Sequence, residues 1–481
     1  MDALTTHACC AVSPAGKSTP DLVVIGAGSA GFSAAIRARE LGARVALVGS
    51  GTIGGTCVNI GCVPSKTLIR AAEALHHGTS AARFAGIAAS ARLTDWTALM
   101  AQKDDLVAGL REAKYAALLP EYEGIRYVEG AARFTQDGVV AGEEWFPAER
   151  VVIATGASPA IPPIPGIADV PYLTSTTALA LDRLPRSLLV IGGGSIGCEL
   201  GQMFARFGVV VTIVCRSHLL PGFEPEIGAA LAGYLRDEGA TVRCGLRYER
   251  IRWTEAGVAL DVTVNGTPET IAAERVLVAT GRTPNTAGLG LGAAGITIDA
   301  RGAIAVDEFL ATSRPGVYAA GDVTGRDQHV YMAAYGAKLA AENALIGNHR
   351  RYDARAMPAV VFTDPQAACV GLTEREARRQ GYAVRTVTVP LDQVPRALAA
   401  RDTRGLIKLV AERANARLLG AHLLAPEGAD SIQTAVLAIK HDLTLTDLAE
   451  TLFPYLTTVE GLKLAALGFE KDIARLSCCA G

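Results

Sequence analysis

Residues 21–50, DLVVIGAGSAGFSAAIRARELGARVALVGS, run from an apolar stretch through three spaced glycines into a helical pattern, then into a second apolar stretch. Leu22 to Ile25 predicts a buried strand, Gly26-x-Gly28-x-x-Gly31 a tight turn opening a helix, and Arg44 to Val48 a second strand. This is a βαβ unit. One such glycine pattern is a weak signal, because glycine-rich turns are common. The chain repeats it, however. Residues 188–217, LLVIGGGSIGCELGQMFARFGVVVTIVCRS, carry Gly192-x-Gly194-x-x-Gly197 between another apolar strand and another helix. Two copies predict two dinucleotide sites, the glycines letting each pyrophosphate approach a helix N-terminus closely.

Working outward, 481 residues suggest about three domains. VVIATGASP from Val151, VLVATGRTPN from Val276 and GVYAAGDVT from Gly316 read as buried strands ending in small residues, as where chain passes close to a cofactor. From about Met357 the pattern changes. AVVFTDPQAACVGL and GLIKLVAERANARLLGAHLL predict antiparallel strands, followed by helices over 430–441 and 446–450. The expected fold class is α/β: two Rossmann-like dinucleotide-binding domains and a separate C-terminal α+β domain.

Composition narrows the function. Lys plus Arg (46) nearly balances Asp plus Glu (48), so no global basic field exists for nucleic acid or anionic lipid. Apolar runs are short and interrupted, which argues against stable membrane insertion. Residues 1–20 lack the basic and apolar regions of a secretory signal and are expected to form a disordered lead-in. A cytoplasmic protein is therefore expected, in which thiols stay reduced and cysteine pairs point to redox or metal chemistry.

Ten cysteines placed at random over 481 positions would give about 0.2 adjacent pairs. This chain has two, Cys9/Cys10 and Cys478/Cys479, the latter in the closing SCCAG. A third pair is spaced by five: GGTCVNIGCVPSK holds Cys57 and Cys62. Pro64 fits the first turn of a helix, which would put Cys62 at its N-terminus, where end amides and dipole favour the thiolate. A zinc half-site is the competing reading, but no matching Cys/His pair with ligand spacing follows. Cys198, Cys215, Cys244 and Cys369 sit in apolar contexts and read as small packing residues.

GGTCVNIGCVPSK, with the two glycine units, resembles the pyridine nucleotide–disulfide oxidoreductases, flavoenzymes that include glutathione reductase and lipoamide dehydrogenase. The resemblance runs from about Asp21 to the C-terminus. It implies an FAD-binding domain from 21–165 and 286–356, an NADPH-binding domain over 166–285, and a dimerisation domain over 357–481 ending in the dithiol tail. Cofactor contacts follow from it at Gly26, Gly28, Gly31, Gly51, Thr56, Lys66, Ala132, Gly156, Asp322 and Val330 for FAD, with Asp322 towards the flavin chain and Ala132 near the adenine. Gly192, Gly194 and Gly197 serve the second nucleotide. Cys62 is implied to lie against the flavin and Cys57 to exchange with substrate, with Lys66, paired to Glu199, near the flavin's reactive nitrogen. A cation there would stabilise negative charge developing on reduced flavin.

Four features depart from or refine that pattern. VALVGSG puts Gly49 where an acidic residue usually holds the adenosine ribose, which bears on FAD affinity. Cys215 and Arg216 end the equivalent strand of the second unit, where arginine suits a 2′-phosphate, so NADPH is expected over NADH. Disulfide reductases of the family carry His five residues before a Glu near the C-terminus. Here Glu460 is present but Tyr455 stands in the histidine position, and tyrosine, with pKa about 10, is a poor proton donor near neutrality. Finally, the terminal pair, the inner pair and Tyr455 together resemble the branch of the family that reduces Hg(II).

A soft divalent metal binds thiolates best, and its reduction leaves no thiol to protonate. In that branch Cys478 and Cys479 collect Hg(II) from thiol complexes and pass it to Cys57 and Cys62. The tail and Tyr455 serve the partner subunit's site, so a homodimer is expected, and Tyr115 of LREAKYAALL is brought to the metal pocket. A helical tyrosine facing a core is the plainer reading of Tyr115. Many members carry an N-terminal metal-trafficking domain with a Met-Thr-Cys-x-x-Cys loop. This chain has THACCAV there and is expected to lack that domain, leaving Cys9 and Cys10 as either a simple collector or a tail without a role. Two alternatives stand beside this reading. One is a thioredoxin-reductase-like flavoprotein with a C-terminal redox pair. The other is a flavoprotein that sequesters thiophilic metal without turnover, which would have no use for a hydride donor.

Overall fold

The computed structural model describes residues 19–147 and 149–476. Its first sheet is five parallel strands in the order Val317–Ala319, Val151–Ile153, Leu22–Ile25, Val45–Gly49, Ile125–Glu129. All but the last are buried along their whole length, as parallel strands covered on both faces must be. Strand order reverses beside Leu22–Ile25, so the switch point falls where Gly26 begins the turn into helix Ser29–Glu40. That helix packs on helix Val330–Ile346, whose facing residues are small: Ala333, Ala337, Ala340 and Ala341 are all buried in the shared core.

A second parallel sheet, Thr241–Arg243, Val210–Val214, Ser187–Ile191, Arg275–Val278, repeats the plan. The repetition extends to atoms. A Cβ on Gly26 (φ +118) would strike the Ala154 carbonyl, and one on Gly192 (φ +129) the Ala279 carbonyl. Both alanines belong to the two ATG stretches noted in the sequence.

The chain enters the second sheet and leaves it through one ribbon. Ala157–Pro159 and Arg282–Pro284 pair antiparallel. Asn285 locks the ribbon, donating from Nδ2 to the Thr155 carbonyl (2.9 Å) and accepting from Ser158 Oγ (2.7 Å), while its carbonyl accepts from Thr155 Oγ1 (2.7 Å).

Beyond Met357 a five-stranded antiparallel sheet runs Pro358–Val361, Gln366–Gly371, Leu418–Ala425, Leu406–Glu412, Val384–Pro390. Helices Gly428–Lys440, Leu445–Glu450 and Glu460–Leu467 cover its core. Buried ion clusters join this sheet to the second one. Arg206 Nη2 meets Glu238 at 2.7 Å and Asp364 at 2.9 Å, and Arg404 Nη2 holds the other Asp364 oxygen at 3.1 Å. Lys408 Nζ lies 3.0 Å from Glu224, 2.8 Å from Glu226 and 3.2 Å from Glu374. Removing one member of such a cluster leaves its partners buried and uncompensated, which fixes the two units together.

Candidate active site

The five-residue spacing of Cys57 and Cys62 would defeat contact in one continuous helix, where residues five apart point about 140° from each other. The chain breaks the helix instead. Cys57 lies in the short helix Gly55–Ile60, and Cys62 begins helix Cys62–Ser80. Gly61 makes the break, and a Cβ there would come within 2.9 Å of the Thr56 carbonyl oxygen. Asn59, which the sequence reading passed over, pins the short helix by donating to the carbonyls of Ile53 (2.8 Å) and Gly55 (2.9 Å). Arg111 in turn donates to Asn59 Oδ1 at 3.2 Å.

The result is a thiol pair in mutual hydrogen-bond contact. Cys57 donates to Cys62, and this contact is the main cause drawing the Cys62 thiol down to about 7, helped by Lys66 and its own helix-end amide against burial and Glu199. Cys57 is pushed up, first by that same hydrogen bond and then by burial. Cys62 therefore ionises around neutrality while Cys57 keeps the proton of the pair. Lys66, one turn along, places Nζ 2.7 Å from Glu199 Oε2 and 4.8 Å from the centre of the Phe362 ring. The other Glu199 oxygen accepts from the Phe362 backbone N–H at 2.9 Å. One ion pair thus ties helices beside both glycine turns to the antiparallel sheet.

Both glycine turns are prepared for an anion. Helices Ser29–Glu40 and Ser195–Arg206 start at Gly28 and Gly194 with no side-chain cap, whereas those starting at Trp96, Glu374 and Leu445 are capped by Asp95, Thr373 and Thr444. Their first amides remain available to a pyrophosphate. A Cβ on Gly31 would fall on the Gly26 carbonyl, and one on Gly197 on the Gly192 carbonyl. Gly28 packs directly against Gly55, bringing the first turn against the short helix that carries Cys57. Asp322 is raised by burial, with Arg282 Nε 3.4 Å away. That nitrogen is buried and makes no good hydrogen bond among the described residues, so it can serve a bound polar group. Arg282 was legible only as part of GRTPN. These features fit a dinucleotide at each turn.

The remaining sites fall as follows. Gly51 and Gly156 take positive φ, Thr56 is exposed on helix Gly55–Ile60, Ala132 starts strand Ala132–Phe134, and Val330 is the first residue of its helix. Arg216 is exposed just past Val210–Val214. Tyr115 lies in a single π-helical turn, Glu112–Ala116, with its hydroxyl 3.2 Å from Ser29 Oγ and its ring edge-on to Phe32. It also covers Gly54, which precedes helix Gly55–Ile60. Tyr455 is 48% exposed in a loop whose Leu452 is 92% exposed. Glu460 accepts from the Leu456 N–H at 3.1 Å, closing that loop. At Gly49 a Cβ would come 2.6 Å from Ala27 Cβ and 2.9 Å from the Tyr127 hydroxyl, so Tyr127 fills the space of the missing acidic side chain. Cys9, Cys10, Cys478 and Cys479 lie outside the described residues.

Residues 20–340 match the family model for pyridine nucleotide-disulphide oxidoreductases, and 357–466 match that family's dimerisation domain. The chain belongs to the pyridine nucleotide-disulphide oxidoreductases. Among curated relatives it is 46% identical to a mercuric reductase of Bacillus cereus over 463 residues, covering 96% of this chain and 73% of that protein. It is 47% identical to one from Shigella flexneri (96% and 82%) and 46% identical to one from Streptomyces lividans (96% and 98%). A solved Cu(II) complex of RclA, an HOCl-induced flavoprotein disulfide reductase from Escherichia coli, superposes with TM-score 0.82 at 32% identity, covering 94% of this chain and all of that one. LpdA from Mycobacterium tuberculosis gives TM-score 0.82 at 28% identity, with the same coverage. As an oxidoreductase of this family the chain is a flavin- and nicotinamide-type enzyme. Among the described residues no helix is long and apolar enough to cross a membrane.

Proposed function

We propose that the protein is a homodimeric, NADPH-dependent enzyme that reduces Hg(II) to Hg(0) at Cys57 and Cys62. The observation that carries this is the Cys57/Cys62 thiol pair in hydrogen-bond contact, in a family site whose usual proton donor is replaced by Tyr455, in a chain whose curated relatives include mercuric reductases at 46–47% identity. A disulfide substrate needs a proton on its departing thiolate. A metal ion needs only two electrons: Hg(II) and NADPH give Hg(0), NADP⁺ and H⁺.

Gly26, Gly28 and Gly31, with Gly51, Thr56, Ala132, Gly156, Asp322 and Val330, would hold FAD, and Gly192, Gly194, Gly197 and Arg216 would hold NADPH. FAD when bound supplies the relay between a two-electron hydride donor and the thiol pair. The chain's residues do the rest. The Cys62 thiolate and Cys57 bind the soft cation, Cys57 giving up its proton as it does so. Lys66, fixed by Glu199, keeps positive charge beside the pair. Cys478 and Cys479 of the partner subunit strip thiol ligands from incoming Hg(II) by exchange, and Tyr455 and Tyr115 complete the metal pocket. Balanced charge and, among the described residues, the lack of a helix able to cross a membrane call for no other class of partner, and a cytoplasmic setting suits thiols that must stay reduced.

The test is NADPH oxidation by the purified yellow protein, with Hg(II), Cu(II), oxidised glutathione and thioredoxin supplied in turn. Hg(II) should sustain turnover. Cys57→Ala or Cys62→Ala should abolish it while NADPH still reduces the flavin. Turnover with glutathione disulfide or thioredoxin, and none with Hg(II), would overturn the proposal.

A further inference from the structure

Beyond the redox pair, a second thiol pair lies against the other nucleotide turn. Strands Val210–Val214 and Thr241–Arg243 run parallel with Val214 opposite Arg243, and the ladder continues past both ends. The Cys215 N–H donates to the Arg243 carbonyl at 3.0 Å and the Cys215 carbonyl accepts from the Leu246 N–H at 3.2 Å, which sets Cys215 beside Cys244. Neighbouring strands lie about 4.8 Å apart and residues in register share a face, so both thiols point the same way. Cys215 turns its sulfur to the glycine loop: a Cβ on Gly193 would lie 3.2 Å from Cys215 Sγ and 3.0 Å from its Cβ. From the other side Cys198, fully buried, donates to the Gly193 carbonyl at 3.6 Å. Gly193 is thus packed on sulfur, while Cys244, only partly buried, leaves the pair open to solvent.

We propose that Cys215 and Cys244 form a second, two-coordinate site for a thiophilic cation such as Hg(II), and that its occupation blocks the second nucleotide turn. The bond change is simple: two S–H bonds become two S–Hg bonds and two protons leave to solvent, with no redox step. The Cys244 thiol is drawn down to about 6, first by donation from Cys215 and then by Arg236 and His218 nearby. A cation between the two sulfurs holds them further apart than their hydrogen bond does, so it would press Cys215 Sγ onto Gly193, against which it already packs, and displace the loop between Gly192 and Gly194. Excess metal would then shut off the electron supply by a route separate from the redox pair. Cys215 and Cys244 act here as ligands, beyond the packing role expected from sequence.

This inference takes the identity of the nucleotide from the proposed function, but its readouts do not involve Hg(II) reduction. The experiment uses flavin-loaded full-length dimer carrying Cys57→Ala, Cys62→Ala, Cys478→Ala and Cys479→Ala, with and without added Cys215→Ser and Cys244→Ser. Each is dialysed against Hg(II) chloride, and bound metal and NADPH-driven flavin reduction are measured. The added pair should remove about one Hg(II) per subunit. With Cys215 and Cys244 intact, Hg(II) should raise the NADPH concentration for half-maximal flavin reduction about tenfold, a cost of about 1.4 kcal/mol. With both changed to Ser, Hg(II) should have no effect. Cys244→Ser alone, at the more exposed position, should give the same loss and guards against misfolding of the double variant. Equal metal binding in both backgrounds, or flavin reduction indifferent to bound metal, would overturn the proposal while leaving the reductase reading intact.

Discussion

Lys66→Met and Glu199→Gln should move the Cys62 thiol in opposite directions. Lys66 lies one helical turn from Cys62, roughly 6 Å away. At an effective dielectric of about 20 a unit charge at that distance is worth about 2.8 kcal/mol, or about 2 pKa units. Glu199, 2.7 Å from the ammonium and opposing it at Cys62, offsets roughly half. Lys66→Met leaves Glu199 in place and should therefore raise the Cys62 titration by about 2 units, from about 7 to about 9. Glu199→Gln, which can still accept the Phe362 N–H through its amide oxygen, should lower it by about one unit. The thiolate is present above the midpoint, so at pH 7 the first variant reacts more slowly and the second faster. The assay is the rate of iodoacetamide labelling at Cys62 against pH in reduced protein, read by peptide mass mapping. Shifts of the same sign in both variants, or no shift with Lys66→Met, would refute the electrostatic account.

Gly31→Ala should purify without flavin, whereas Gly197→Ala should stay yellow yet need about tenfold more NADPH for flavin reduction, because each methyl would fall on the carbonyl of its own turn. Gly49→Glu, which restores the family's acidic residue, should weaken FAD binding about tenfold in apoprotein titrations, because its Cβ meets Ala27 and Tyr127, and Tyr127→Ala should relieve part of that loss. Asp364→Asn should cost about 2 kcal/mol in urea unfolding at pH 7, since Arg206 and Arg404 keep Glu238 but lose one carboxylate. Arg206 and Arg404 hold the Asp364 carboxyl below its ordinary value against the opposing effect of burial. Its stabilising effect is therefore full above about pH 4 and fades as pH falls through the depressed value, so the gap between the proteins should close in acid.

Much of this was legible because backbone geometry demanded particular residues. Gly26, Gly31, Gly192 and Gly197 sit where any side chain meets a carbonyl, so their spacing carried the fold. Strand Leu22–Ile25 falls where periodicity put it, and helix Cys62–Ser80 starts at the cysteine expected at its end. The Lys66–Glu199 contact, 133 residues apart in sequence, was reachable only through family resemblance. Other features depend on tertiary placement that no local pattern records. Asn59 and Arg111 read as ordinary polar residues until the short helix carrying Cys57 is seen hanging from them. Tyr127 shows its role only beside Gly49, and Cys215 meets Cys244 only because two short strands happen to align.

The ribbon formed by Ala157–Pro159 and Arg282–Pro284 has a consequence for how such a protein can change over evolutionary time. Departure and return lie side by side, so everything between is, in effect, a cassette with a single plug. A lineage could exchange that cassette, and with it the coenzyme it draws on, by recombination at two neighbouring points. The Cys57/Cys62 pair coded outside it would be inherited unchanged, but any newcomer would have to satisfy the contacts of Glu199, Arg206, Glu224, Glu226 and Glu238 and the apolar core shared with Leu68, Ile69 and Ala72.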